Sequence, residues 1–245
     1  MRAKFVFTSF LPLFIMTLFV VWAVPTAQAG PVGPTPYLSS ADSPFNGVDF
    51  NYFYLENFED NALNTPGVIA SAGSVLGPGG FTDSVDGDDG SIDGSGASGH
   101  SFYSGNSSAL TFTFNAVTLG ALPTHAGVVW TDVGLASVLG VDGVSFEAFD
   151  SMGASLGVIG PATLGDGTAL SATAEDRFFG FTNAGGISAI RITMASSTDW
   201  EVDHLQYGRE AAVQPVPEPA TMILLGTGLA GLGAAVRRRK TNPRR

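Results

Sequence analysis

The chain has 245 residues, a formal charge of −11 and no cysteine, which excludes a disulfide framework or a thiolate metal site. Only 13% of residues are charged while 32 are glycine, a composition suited to short strands and many turns rather than long helices. Most Lys and Arg sit at the two ends, so residues 30–216 carry three basic residues against 21 acidic ones, a formal −18 that disfavours nucleic acid and attracts cations.

Taken in chain order, Arg2 and Lys4 precede an apolar stretch from Phe5 to Val24, followed by the small-x-small site Ala27-Gln28-Ala29. This pattern predicts a signal peptide over 1–29, removed by signal peptidase, with an uncleaved N-terminal anchor as the alternative. Both readings export the body. A Pro- and Gly-rich stretch over 30–48 reads as a linker.

Residues 49–210 read as one all-β domain. The aromatic run from Asp49 to Asp60 predicts a first strand. Leu110, Phe112 and Phe114 alternate with Thr111, Thr113 and Asn115, the period of a half-buried strand. Further short strands are expected around Trp130, over Val144 to Asp150, over Phe178 to Thr182, across Ile190, Ile192 and Met194, and from Trp200 to Gly208. Turn signals such as Gly77-Pro78-Gly79-Gly80 separate them. About eight strands in this length predict a single β-sandwich, jelly-roll-like in form. No stretch of the body carries a helical period.

Within this domain the acids are the candidate chemistry. Asp83, Asp86, Asp88, Asp89 and Asp93 crowd one glycine-rich loop, a set of hard oxygen donors suited to calcium, although the spacing fails the EF-hand pattern. A solvated loop is the alternative. Glu56, Glu59 and Asp60 near the first strand, with Asp203 in the last, form a second set. Calcium is the one candidate cofactor, with Glu59, Asp60, Asp86, Asp88 and Asp203 as candidate ligands. His100, His125 and His204 show no metal-ligand spacing. There is no Gly-x-Ser-x-Gly elbow, and Glu147 with Asp150 is only a notional carboxylate pair, so no enzyme is expected. Trp130, Trp200 and Tyr207 are candidates for stacking on a sugar, with burial in the core as the alternative.

After Gln214 the chain passes through Val216-Pro217-Glu218-Pro219, an extended segment because two prolines flank the acid. An uncharged run from Ala220 to Val236 predicts a single transmembrane helix, and Arg237, Arg238, Arg239 and Lys240 predict a cytoplasmic stop within a basic tail over 237–245. The segment 211–219 links the two. Pro-Glu-Pro, a Leu/Gly-rich span and a basic cluster, in that order, resemble the PEP-CTERM sorting signal of exported bacterial proteins. That resemblance implies recognition of Pro217, Glu218 and Pro219 by the membrane enzyme exosortase. It also implies an inner-membrane intermediate and delivery to the surface or extracellular matrix of a Gram-negative bacterium, in association with exopolysaccharide and biofilm. From Ser145 to Gly208, a strand with a Gly turn, "FFGFT", "ISAIRIT" and "VDHLQYG" resemble the end of a galactose-binding-like jelly roll. This implies a structural calcium near the terminal strands and, in some relatives, sugar binding. A structural or adhesive matrix protein is therefore expected, with a lectin-like module or a polysaccharide hydrolase as the alternatives.

Overall fold

A computed structural model describes residues 29–132, 143–164, 170–195, 197–198, 200–212 and 221–241. The predicted signal peptide and Pro217-Glu218-Pro219 lie outside the described residues. Twelve strands among the described residues form two antiparallel sheets. The first runs β1 (Gly30–Pro36), β10 (Arg177–Thr182), β7 (His125–Asp132), β12 (Glu201–Glu210), β5 (Ser101–Tyr103) and β4 (Ser74–Leu76). The start of β12 pairs with β5, and its later part pairs on with β2 (Phe50–Glu56). The second sheet runs β3 (Val68–Ala70), β6 (Ala109–Phe114), β11 (Ile187–Met194), β8 (Gly143–Asp150) and β9 (Ser155–Thr163).

Period-two alternation explains how the sheets meet. Leu110, Phe112 and Phe114 of β6 and Ile190, Ile192 and Met194 of β11 are all buried, while Arg191 faces outward. They pack against Val128, Trp130, Phe179, Phe181, Val202, Leu205 and Tyr207 of the first sheet in one continuous core. Phe146 stacks between the layers against Phe179 and Phe181, with ring centroids 6.3 and 6.2 Å away. Trp130 and Trp200 lie 5.4 Å apart, and each indole N–H finds a backbone carbonyl, of Asp132 and Ser107 respectively. Burying such rings contributes about 1.5–3 kcal/mol each, and the satisfied N–H groups remove the penalty an indole would otherwise carry. These aromatics, with Tyr207, are core and offer no exposed sugar platform.

The outward face of the first sheet is also covered. Tyr37, Phe45 and Val85 pack over Val129 and Phe178 in a second, smaller cluster. This corrects the linker expected over 30–48: Gly30–Pro36 is β1, paired along β10, and Tyr37 and Phe45 are buried. Its prolines suggested a linker, yet an edge strand has one row of backbone groups that needs no partner and so accepts proline. Strands β3, β4 and β5 are each three residues long, too short to show an alternation, and glycine and proline interrupt β9. The described part of the body also holds a short α-helix, α1 (Ala116–Leu119), started by Asn115, whose side chain accepts from the N–H groups of Val117 and Thr118.

The tail forms helix α2 (Thr221–Thr241), which runs on through Arg237–Lys240. Among the described residues, no helix is long and apolar enough to cross a membrane, so the expected transmembrane helix is not shown. From Thr221 to the first arginine the helix rises roughly 24 Å, short of the ~30 Å of a bilayer core, and its glycines dilute the apolar run.

Candidate functional site

The site lies where β12 starts, on the outward face of the first sheet. Strand alternation first puts Glu201 and Asp203 outward, on either side of the inward Val202. A bulge follows: the register with β7 shifts between Asp203 and Gln206, and His204 takes φ 43°. The extra residue turns His204 to the same side as Asp203 before Leu205 returns to the core, the re-aiming that bulges provide. Glu201, Asp203, His204 and Gln206 are consequently all buried beneath the covering segments.

The glycine–aspartate loop is held down by these side chains. Asp203 Oδ2 accepts from the Val85 N–H at 2.9 Å, and Glu201 Oε2 accepts from the Asp83 N–H at 2.9 Å and from the Ser101 hydroxyl. Asp86 closes the loop on itself, accepting from the N–H groups of Asp93 and Gly94 and from the Thr173 hydroxyl. His204 Nε2 lies 2.9 Å from Asp88 and its Nδ1 lies 2.9 Å from the Tyr37 hydroxyl, which also accepts from Gln206. Donor atoms of Asp88, Asp203 and His204 come within 4.8 Å of one another. A loop that reads as solvated is therefore fastened through acceptors in the last strand.

Asp176, unremarked in the sequence, completes the cluster. It follows a 3₁₀ turn at Thr173–Glu175 and is fully buried, and neither carboxylate oxygen has a hydrogen-bond partner among the described residues. Burial, then the charges of Asp83, Asp203, Glu175 and Asp86, push its carboxyl up to about 10. Burial and Asp88 likewise raise Asp203 well above the usual carboxylate range, against the opposing effect of its two backbone donors. The Thr131 and Ser171 hydroxyls are likewise buried without a partner among the described residues.

The expected ligands divide accordingly. Asp88 and Asp203 come together with His204, while the Asp86 carboxylate turns to Asp93, Gly94 and Thr173. Glu59 is turned to His100, accepting from its N–H at 2.6 Å and lying 3.2 Å from its ring. Asp60 is exposed and caps a local turn. Glu56 accepts from the N–H groups of Phe58, Asn64 and Thr65 and pins the following loop. Glu147 pairs with Arg191 across β8 and β11, and Asp150 accepts from Met152 and Ala154 in a turn, so that carboxylate pair is committed elsewhere. The alternation Glu201-Val202-Asp203 was the signal that could have found Glu201. Asp176 offers no comparable pattern, because its neighbours at the site are distant in sequence.

Residues 215–240 match the PEP-CTERM protein-sorting motif. No curated protein and no solved structure matches the chain, and the galactose-binding-like jelly roll expected for the body is not confirmed. The motif implies an exported protein, processed by exosortase and sorted to the cell envelope.

Proposed function

We propose that this is a structural or adhesive protein of the bacterial envelope, delivered by its C-terminal signal to the surface or exopolysaccharide matrix of a Gram-negative cell. The observation that carries the reading is the sorting motif at 215–240, which follows directly on a body ending with β12 at Glu210. In this reading a signal peptide over 1–29 starts export, and exosortase grips Pro217-Glu218-Pro219 in an inner-membrane intermediate. The stop at Arg237–Lys240 holds the tail until it is cut. The non-catalytic role of the body is supported by the commitment of Glu147 to Arg191 and of Asp150 to a turn. Intact mass of the surface-exposed protein in a host with exosortase tests the proposal. Loss of the segment after Pro219 is expected, and Glu218→Ala should hold the chain in the membrane fraction. A mature form that still carries Arg237 to Arg245 would overturn it.

A further inference from the structure

The sorting motif leaves the acid cluster unexplained. Most of its carboxylates are occupied as acceptors for loop N–H groups, an arrangement that alone describes a fastening. Asp176 does not fit that description. A buried carboxylate with no hydrogen-bond donor costs several kcal/mol unless something neutralises it.

Three further observations place oxygen donors around it. Arg177 pairs with Trp130 across β10 and β7, so the next step of the register sets Asp176 opposite Thr131, whose buried hydroxyl has no partner among the described residues. Asp83 is the charge that weighs most on the Asp176 carboxyl, and its Oδ1 faces Gly96, which is bonded to residue 171. The Gly96 N–H donates to the Ser171 carbonyl at 2.9 Å, which brings residue 171 against the same loop. Here glycine is required: a Cβ at residue 96 would meet Ser84 O at 2.2 Å and Asp83 Oδ1 at 3.0 Å. Two carboxylates and two hydroxyls thus gather beneath the loop, at the foot of β10.

We propose that Asp176 and Asp83 hold a divalent cation of the calcium class, completed by the Thr131 and Ser171 hydroxyls, which ties the glycine–aspartate loop to the first sheet. The proposal goes beyond the sorting reading and does not depend on it. The donors are all hard oxygens, as calcium prefers, in the six-to-eight range that side chains and water reach together. A thiophilic metal has no thiolate ligand in a chain without cysteine. The one nearby imidazole, His204, is engaged on both nitrogens by Asp88 and Tyr37. The site differs from the calcium set expected in the sequence: Asp176 replaces Glu59 and Asp60 at its centre, and Asp86 and Asp203 act from behind by holding the loop.

The test is calcium binding and thermal stability of the full-length protein. Equilibrium dialysis with calcium alone should give one ion per chain. At tenfold excess over Kd the melting temperature should rise about 3–6 °C over that in chelator, with magnesium giving less. Asp176→Asn should abolish both the binding and the shift, and in chelator it should melt at or above the wild type, because a carboxyl that must take up a proton to stay buried has been replaced by a neutral amide. Asp60→Asn, an exposed change, should keep the full effect. Should Asp176→Asn not fold, Asp83→Asn takes its place and should lose the bound ion in the same way. Melting curves that are identical in chelator and calcium would overturn the proposal in favour of a shared proton or buried water. A calcium shift that survives Asp176→Asn would overturn it in favour of surface screening.

Discussion

The two faces of the seven-stranded sheet obey the same period of two and are both buried, yet they are built from opposite chemistry. On the inner face Val128, Trp130, Phe179 and Val202 meet a second sheet. On the outer face Thr131, Asp176, Glu201 and Asp203 meet irregular loops, with only a small apolar cluster around Val129 and Phe178. A sheet can cover a sheet because both have satisfied their backbone groups within the ladder. A loop arrives with open N–H groups, and whatever receives it must supply acceptors. The carboxylates of Glu201 and Asp203 are those acceptors, so polarity on the covered face follows from the irregularity of what covers it.

The comparison is broken most severely from the inner side. Phe146→Ala removes a ring stacked between layers and should cost about 3–5 kcal/mol, read as a fall in denaturation midpoint with an unchanged slope. On the outer face Glu201→Ala strips the Asp83 N–H and the Ser101 hydroxyl of their acceptor, at about 1–3 kcal/mol for each donor left buried. Its signature should be local: faster hydrogen exchange around residues 83–86, with the core strands still protected. A loss of protection shared equally by both sheets would show that the loop is no separate unit.

The outward face of the other sheet provides the contrast, since Arg191 and Glu147 stand on it in an exposed pair. Arg191→Ala breaks the ion pair with Glu147 and the contact over Phe149, and because Arg191 is well exposed the loss should stay within about 1 kcal/mol. A larger loss in urea titrations would mean that this face is less open than its side chains suggest.

The gentlest perturbation is pH. His125, on the outer face against the rings of Phe45 and Phe50, has its pKa lowered, by burial first, with Glu210 opposing. The Thr124 hydroxyl accepts from the Glu210 N–H and lies 3.0 Å from His125 Nδ1, placing it to donate its own proton to a neutral ring. Because the folded pKa is depressed, the unfolded chain takes up the proton first. The stability due to the neutral ring is present above the ordinary value of about 6.5 and is lost as pH falls below it. Wild type should therefore lose more in melting temperature than His125→Gln between pH 7.5 and pH 5. The difference between the two proteins isolates the histidine from the acids, and equal losses would place the ring in water.

What could be read in the sequence follows the same division. Strands β6, β8, β11 and β12 were legible because a two-sided sandwich writes an alternation into them, and β10 because its phenylalanines favour a strand. The loop residues Asp86 and Asp88 were legible as oxygen donors by composition, but the fastening of their loop to Asp203 and His204 was not. Those contacts span more than 100 residues and depend on a bulge at His204 that no neighbouring glycine marks. Asp176 was invisible for a further reason. A single acid at the entrance of a strand reads as solvent-facing, and only the loop folding over it, anchored elsewhere, makes it buried. The edge strand β1 was hidden by prolines that an edge accepts.

The register carries a mechanical consequence. Gly30, Thr182, His125 and Gly208 form one row across four strands, so the chain enters the sandwich and leaves β12 at the same pole, roughly 14 Å apart at ~4.8 Å per strand. The row through Arg177, Trp130 and Val202, beside the acids and their loop, marks the opposite pole. A pull applied through the residues after Glu210, against a grip on the far loops, therefore runs lengthwise along β12. Its ladders to β7 and β2 are then strained in shear, with their hydrogen bonds sharing the force together, instead of parting one pair at a time as in a peeled hairpin.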